Sequence, residues 1–256
     1  MIAFVAGVLG LAVGSFLNVV VYRVPRGESV VSPPSHCPRC DSLVRSRHNV
    51  PVAGWILLRG RCADCRVPIS VRYPLVELAT GLLFAAVALR LDTAAALPAY
   101  LWFVGAGVAL ALIDLDVRRL PNAIVAPSYP VLLALLAGAA AWDHDWSALV
   151  RAVIGGAALF GFYLLLVLVY PAGLGWGDVK LSGLVGGVLA FLSWNALLIG
   201  AFAAFLLGGI VGIGVILIAG GGRKTALPFG PFMIAGVLLA VFAAAPVARW
   251  YGSLLH

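Results

Sequence analysis

The sequence predicts an all-α polytopic membrane protein with about eight transmembrane helices and a small cytoplasmic four-cysteine zinc-binding insert. Three observations predict it. The 256-residue chain is 63% hydrophobic and 11% charged, with a mean hydropathy of +1.08, outside the range of ordinary soluble domains. Apolar runs of about 18 to 22 residues recur along it, the helix length that crosses a bilayer core of roughly 30 Å. All four cysteines fall in one polar segment, residues 23–72. Lipid offers backbone groups no partner, so the spans must be helices.

The first span, near 2–22, has no basic leading region and ends in Asn18-Val19-Val20-Val21-Tyr22-Arg23 rather than a small-residue cleavage site. It therefore reads as a retained helix and not a signal peptide. The cysteine-containing insert follows at 23–72, and residues 73–256 form the membrane core. Further spans are expected near 73–89, 98–114, 123–141, 152–171, 179–192, 196–219 and 229–248, the 179–192 span being short. Between the fourth and fifth, Trp142-Asp143-His144-Asp145-Trp146 is a polar turn whose tryptophans suit an interfacial belt. Late in the chain, Gly220-Gly221-Gly222-Arg223-Lys224 reads as a flexible loop, and Pro228-Phe229-Gly230-Pro231-Phe232 as a stiff helix start.

The formal charge of +7 points to nucleic acid only until the cations are placed. Eight spans put the nine arginines of 23–72, with Arg118, Arg119, Lys180, Arg223 and Lys224, on one side: fourteen of the seventeen Lys and Arg. Arg90, Arg151 and Arg249 fall on the other. The crowded side is cytoplasmic by the positive-inside rule, so both termini are extracytoplasmic. No nucleic-acid partner is implied. Arg39, Arg61 and Arg66 are placed to hold the insert against anionic membrane lipids.

Cys37-Pro-Arg-Cys40 and Cys62-Ala-Asp-Cys65 are two CxxC pairs separated by twenty-one residues, close to the spacing of four-cysteine zinc sites. Such a site supplies folding energy to a segment too small and polar to build a core. Four thiolates leave no open coordination position, so the metal is structural and no catalytic metal is expected. His36 and His48 are spare. The alternative is a redox pair or disulfides, which an inverted topology would favour.

Two carboxylates stand where a membrane chain should not place a charge without a reason. Asp114, in Leu112-Ile113-Asp114-Leu115-Asp116, lies at a helix C-terminus, where the macrodipole disfavours an anion. An ion pair with Arg118 at i+4 is the local alternative. Asp116 points to another face and reads as structural. Asp178, in Gly175-Trp176-Gly177-Asp178, sits where the sixth span begins, and an N-cap alone would explain it. Gly175 and Gly177 before it let the backbone approach a ligand or extended peptide, and Lys180 follows. Packing of the third span against the sixth would let the two carboxylates face one another across a water. One ionised and one protonated carboxyl then act as general base and general acid, because like charges a few ångströms apart do not both ionise cheaply. No HExxH or GxSxG pattern competes.

These residues resemble a known family. Gly14-Ser15-Phe16-Leu17-Asn18-Val19-Val20-Val21-Tyr22-Arg23, the two CxxC pairs, Asn49-Val50-Pro51-Val52-Ala53-Gly54-Trp55, Arg72-Tyr73-Pro74-Leu75-Val76-Glu77, Ile113-Asp114-Leu115-Asp116 with Leu120-Pro121-Asn122, Gly175-Trp176-Gly177-Asp178-Val179-Lys180-Leu181 and Pro228-Phe229-Gly230-Pro231-Phe232 are similar, in order, to the bacterial prepilin peptidases, membrane aspartic peptidases of the GxGD class. The resemblance implies that Asp114 and Asp178 are the catalytic pair. It implies cleavage, after a glycine and on the cytoplasmic side, of the basic leader of type IV prepilins or type II secretion pseudopilins in the bacterial inner membrane. It also implies N-methylation of the new amino terminus from S-adenosylmethionine, an activity tied to the N-terminal half, where Gly14, Asn18, Arg23 and Glu77 bear on it. The site-shaping residues are Gly175, Gly177, Lys180 and Glu77, and the metal ligands Cys37, Cys40, Cys62 and Cys65. Glu77 has a plainer reading as a partner of Arg72 or Arg23. The chain departs from the family pattern at Asn122, where an aspartate is common, and at His48, where an acidic residue is common. The arginine-rich insert would repel a basic leader and so is not its docking surface.

Two other classes make opposite predictions. In an ion-coupled transporter, carboxylates bind H⁺ or Na⁺ near the midplane, whereas both aspartates here lie at one face. In a zinc-dependent scaffold, Cys37→Ser abolishes function and Asp178→Asn does not.

Overall fold

Among the described residues, eight long helices carry the predicted spans, with a short helix in the insert: α1 Ile2–Arg23, α2 Ala53–Leu57, α3 Arg72–Arg90, α4 Leu97–Val117, α5 Asn122–Trp142, α6 Trp146–Val169, α7 Trp176–Leu192, α8 Trp194–Ala219 and α9 Gly230–Leu254. The computed structural model describes residues 1–91, 95–171, 173–219 and 227–254, and among these there is no β-strand. The glycine-rich loop with Arg223 and Lys224 lies outside the described residues. By length and composition α1, α3, α4, α5, α6 and α8 can each cross a membrane, while the apolar part of α9, Gly230–Ala244, is shorter and α7 has 17 residues. The chain is an all-α polytopic membrane protein.

Two helices, α6 and α7, begin three or more residues earlier than predicted, for capping reasons. The Asp145 carboxylate accepts from Ala148 N–H at 3.1 Å, so α6 starts inside the polar tryptophan turn rather than near residue 152. The Ser147 hydroxyl, then the Ala148 N–H, hold the Asp145 carboxyl below its usual range. At α7 the N-cap is Gly175, which moves Asp178 inside the helix.

The chain divides into two compact units, Met1–Asp92 and Thr93–His256. In the first, α1 and α3 run antiparallel along a stripe of small residues. A Cβ at Gly10 would lie 2.8 Å from Gly81 Cα, and one at Gly14 2.7 Å from Glu77 Cα, so the two backbones approach as only glycine permits. The register continues to Asn18, whose side-chain amide donates to Tyr73 O at 3.2 Å. The buried Arg23 at the end of α1 donates to Ser29 O at 2.9 Å and Pro33 O at 2.7 Å, which folds the start of the insert back over the helix end.

The insert contains an internal repeat with an offset of 25 residues. In the first copy Cys37 N–H donates to Ser42 O, Asp41 N–H to Cys37 O and Val44 N–H to Ser35 O; in the second, Cys62 N–H donates to Val67 O, Arg66 N–H to Cys62 O and Ile69 N–H to Gly60 O. The bridges His36↔Leu43 and Arg61↔Pro68 correspond. So do the left-handed residues Asp41 (φ 54°) and Arg66 (φ 62°). Each copy is a CxxC knuckle closed by one residue in the left-handed region. The Trp55 indole N–H of α2 donates to Ile69 O at 3.1 Å and ties the second knuckle to that helix.

Val52, just before α2, adopts φ 60°, ψ −51°, and Ala53 N–H reaches back to Pro51 O at 2.6 Å. This is a γ-turn with positive φ on a β-branched residue, rare and strained by about 1–3 kcal/mol. What holds it is the buried Glu77 carboxylate of α3, which accepts Val52 N–H at 2.6 Å. The guanidinium of Arg23 bonds elsewhere, so that part of the plainer reading of Glu77 is not what the structure contains.

In the second unit α6 and α7 pack through glycines: a Cβ at Gly156 would lie 2.9 Å from Gly183 O, and one at Gly186 2.5 Å from Gly155 O. The Arg151 side chain of α6 then crosses to the end of α7, with Nε on Ala190 O at 2.6 Å and Nη2 on Phe191 O at 2.7 Å. A cation on the last carbonyls of a helix satisfies orphan acceptors and opposes the dipole. Arg151→Ala is expected to destabilise the folded protein by about 2 kcal/mol, read as a lowered thermal midpoint in detergent without loss of metal.

Candidate active site and metal centre

Asp114 occupies the last turn of α4, which ends on the left-handed Arg118 (φ 53°). Its side chain is 5% exposed. The partner is not Arg118: Oδ2 accepts the N–H of Gly230, at the start of α9, at 3.1 Å across 116 residues of sequence. Phe232 and Met233 N–H both go to Phe229 O, and Pro231 has no N–H. Gly230 therefore carries the remaining orphan donor of the first turn, and Asp114 caps it. The dipole of α9 favours the charge that the end of α4 disfavours.

Asp178 is the third residue of α7, 8% exposed. Its Oδ2 accepts Gly175 N–H at 3.0 Å, the side-chain-to-backbone half of a capping box. The expectation that Asp178 is itself the N-cap is thus corrected by three positions. Each buried carboxylate is fixed through one oxygen by the backbone amide of a glycine.

Leu120 joins the two neighbourhoods. A Cβ at Gly177 would lie 2.9 Å from Leu120 Cβ, and one at Gly230 would lie 2.9 Å from Asp114 Oδ2 and 3.2 Å from Leu120 Cδ2. Both positions need glycine because the same leucine, and at Gly230 the carboxylate, occupy the space. Asp114 on α4 and Asp178 on α7 belong to the same compact unit. Their helices meet through Tyr100 Oη on Val188 O at 2.8 Å, while α9 packs on both α4 and α7.

Lys180 is turned toward the Leu120-Pro121-Asn122 turn, with Nζ on Asn122 Oδ1 at 3.0 Å, and its carbonyl accepts Tyr129 Oη–H at 2.6 Å. It steadies the turn that carries Leu120. Asn122 supplies the acceptor there without needing a charge. Glu77 belongs to the first unit, where it holds Val52. Asp116 is exposed. Sequence reasoning treated Pro228-Phe229-Gly230-Pro231-Phe232 as a helix start without chemistry; its position behind a long glycine-rich loop gave no sign that Gly230 reaches Asp114.

The four cysteines form a second centre. None is in a disulfide, and their sulfurs lie within 4.8 Å of one another. Cys37 to Cys65 is 3.7 Å and Cys40 to Cys62 4.0 Å, near the roughly 3.8 Å edge of a tetrahedron with metal–sulfur bonds of about 2.3 Å. The Cys65 and then the Asp64 backbone N–H hold the Cys62 thiol down to about 6, which favours the ligating thiolate. Arg45 pairs with Asp64 at 3.0 Å beside it. The set fits a structural metal site.

Residues 8–91 match the bacterial peptidase A24 N-terminal domain, and residues 101–213 match the type IV leader peptidase family. The chain is 35% identical to a prepilin leader peptidase/N-methyltransferase of Aeromonas hydrophila, over 94% of this chain and 90% of that one. The protein of the same name from Pseudomonas putida is 36% identical over 92% and 88%. That from Myxococcus xanthus (strain DK1622) is 43% identical over 83% of this chain and 63% of its own length. No solved structure matches the chain. Apolar helices long enough to cross a membrane and these likenesses fit a multi-pass protein of the inner membrane. With aspartates 114 and 178 in the same unit and both family models matched in order, the chain belongs to the type IV leader peptidase family.

Proposed function

We propose that this protein is a membrane-embedded aspartic endopeptidase that removes the basic leader from type IV prepilins or pseudopilins, after a glycine, and N-methylates the new amino terminus. The observation that carries the peptidase reading is the pair Asp114 and Asp178, both buried and each held by one glycine amide, with Leu120 packed against Gly177 and Gly230. In this reading one carboxylate takes a proton from water as its oxygen attacks the scissile carbonyl carbon. The other, protonated, gives its proton to the leaving amine as the C–N bond breaks. The two titrate as a pair. The positive-inside distribution of cations supports placing both carboxylates at the cytoplasmic face, with both termini outside, and the arginines of the insert against anionic lipid.

The methylation reading rests on the relatives' names and on the N-terminal family match. The first unit has a half-open cleft of about 410 Å³ lined by residues that include Ser15, Phe16, Arg23 and Asn49, a size that suits a small-molecule site. No carboxylate lines it to meet the sulfonium or ribose of S-adenosylmethionine, so the cleft fits that donor in size and not in charge, and no step is assigned to its residues. Zinc is the metal proposed for the four cysteines, since tetrahedral thiolate sets select it.

The test is co-expression with a prepilin and a labelled methyl donor. The expected result is a leader-sized drop in prepilin mass together with label at the new terminus. Cleavage without label would retain the peptidase and remove the methyltransferase; intact prepilin would remove both.

A further inference from the structure

Among the described residues, buried hydroxyls are committed to carbonyl oxygens, with one exception. Thr80 donates to Val76 O at 2.7 Å, Tyr100 to Val188 O at 2.8 Å, Ser128 to Ile124 O at 2.7 Å and Ser182 to Val179 O at 2.7 Å. Tyr163 on α6 is 1% exposed, yet among the described residues its hydroxyl has no hydrogen-bond partner. A sealed hydroxyl would then be a buried unsatisfied group, and there is none. The Tyr163 oxygen therefore opens onto space that a water molecule or a substrate atom reaches.

The ring that carries this oxygen packs beside the segment that holds Asp114. The Tyr163 ring packs against Phe205 of α8 at 5.5 Å and Phe229 at 6.2 Å, and Phe229 precedes the glycine whose N–H holds Asp114. Phe229 is fixed in turn by Phe205 at 5.2 Å and Phe232 at 6.2 Å. The Tyr163 helix, α6, packs along α7, which carries Asp178 near its start. The aromatic cluster fixes the ring, and what projects from it is a hydroxyl with no commitment inside the fold.

We propose that Tyr163 is a third polar group of the peptidase site, whose hydroxyl donates a hydrogen bond to the carbonyl oxygen of the scissile peptide bond. The inference rests on the peptidase reading above. As the water oxygen bonds to the carbonyl carbon, negative charge develops on the carbonyl oxygen, and the Tyr163 O–H stabilises it while keeping its proton. The two aspartates carry the proton transfers. When the C–N bond breaks, the carbonyl re-forms and the hydrogen bond weakens. A fixed donor aimed at developing charge in a water-poor site acts mainly on the transition state.

The experiment uses the full-length protein in detergent or lipid with a prepilin substrate. Tyr163→Phe is expected to lower kcat by about 10²-fold, with KM within twofold and the thermal midpoint unchanged, because the ring keeps its packing. Phe205→Leu, which loosens the cluster and leaves the hydroxyl, is expected to lower the thermal midpoint and to lower kcat less than Tyr163→Phe does. Replacing Tyr163 by 3-fluorotyrosine, nearly the same shape with a stronger donor, is expected to keep the wild-type rate or exceed it. A wild-type kcat for Tyr163→Phe, or a fluorotyrosine protein as slow as that variant, overturns the proposal. If Asp114→Asn and Asp178→Asn also cleave normally, the peptidase reading itself has failed; if they are inactive, only the role of Tyr163 has.

Discussion

Asp114→Asn and Asp178→Asn are each expected to reduce prepilin cleavage by at least about 10³-fold while the protein accumulates in the membrane at wild-type levels. Asparagine is the informative substitution because its side-chain oxygen still accepts the amide that each carboxylate accepts now, from Gly230 at 3.1 Å and from Gly175 at 3.0 Å. The starts of α9 and α7 stay capped, and what disappears is the ability to ionise or to deliver a proton. Alanine would confuse the two effects, since losing a cap costs about 1 kcal/mol by itself. The readout is prepilin mobility on a denaturing gel beside an immunoblot of the enzyme. Normal cleavage by either variant sinks the assignment, and loss of both cleavage and protein would place that aspartate in the fold rather than the chemistry.

The spans were legible because lipid imposes one requirement on every stretch, apolar side chains over a closed hydrogen-bonded helix, and composition reveals that directly. The cysteine centre was legible for a similar reason: two CxxC pairs leave few other uses for four sulfurs. The repeat that surrounds them was not. Outside the cysteines the two copies share little, and Arg39 and Asp41 in one face Asp64 and Arg66 at the same places in the other, so the likeness exists only in the backbone hydrogen bonds. Asp114 was recognisable as misplaced at a helix C-terminus. What offsets it was not recognisable, because the donor is a backbone N–H 116 residues away and every residue but proline has one. Tyr163 lay hidden in Leu159-Phe160-Gly161-Phe162-Tyr163-Leu164, a run apolar on all sides, where periodicity does not distinguish a ring facing lipid from one buried in the bundle.

Loss of the metal centre is the largest expected effect on stability. Cys40→Ser with Cys62→Ser removes one thiolate from each knuckle, including the sulfur that two backbone N–H groups hold near 6. Structural zinc sites of this kind contribute roughly 10 kcal/mol or more to the folding of small segments, and the repeat has little else: its exposed Leu43 and Val44 bury no core, and its internal bonds are a few turns and two isolated bridges. The double variant should fall from about one zinc per chain to none by elemental analysis, and proteases should cut within residues 23–72 while the helices stay protected. Folded protein that survives should still cleave prepilin, because Asp114 and Asp178 are held by Gly230 and Gly175 in the other unit. Full zinc content in the double variant would overturn the ligand assignment. Complete loss of cleavage in well-folded protein would instead move the cysteines from architecture into the reaction, a role that four saturating thiolates leave no coordination position to perform.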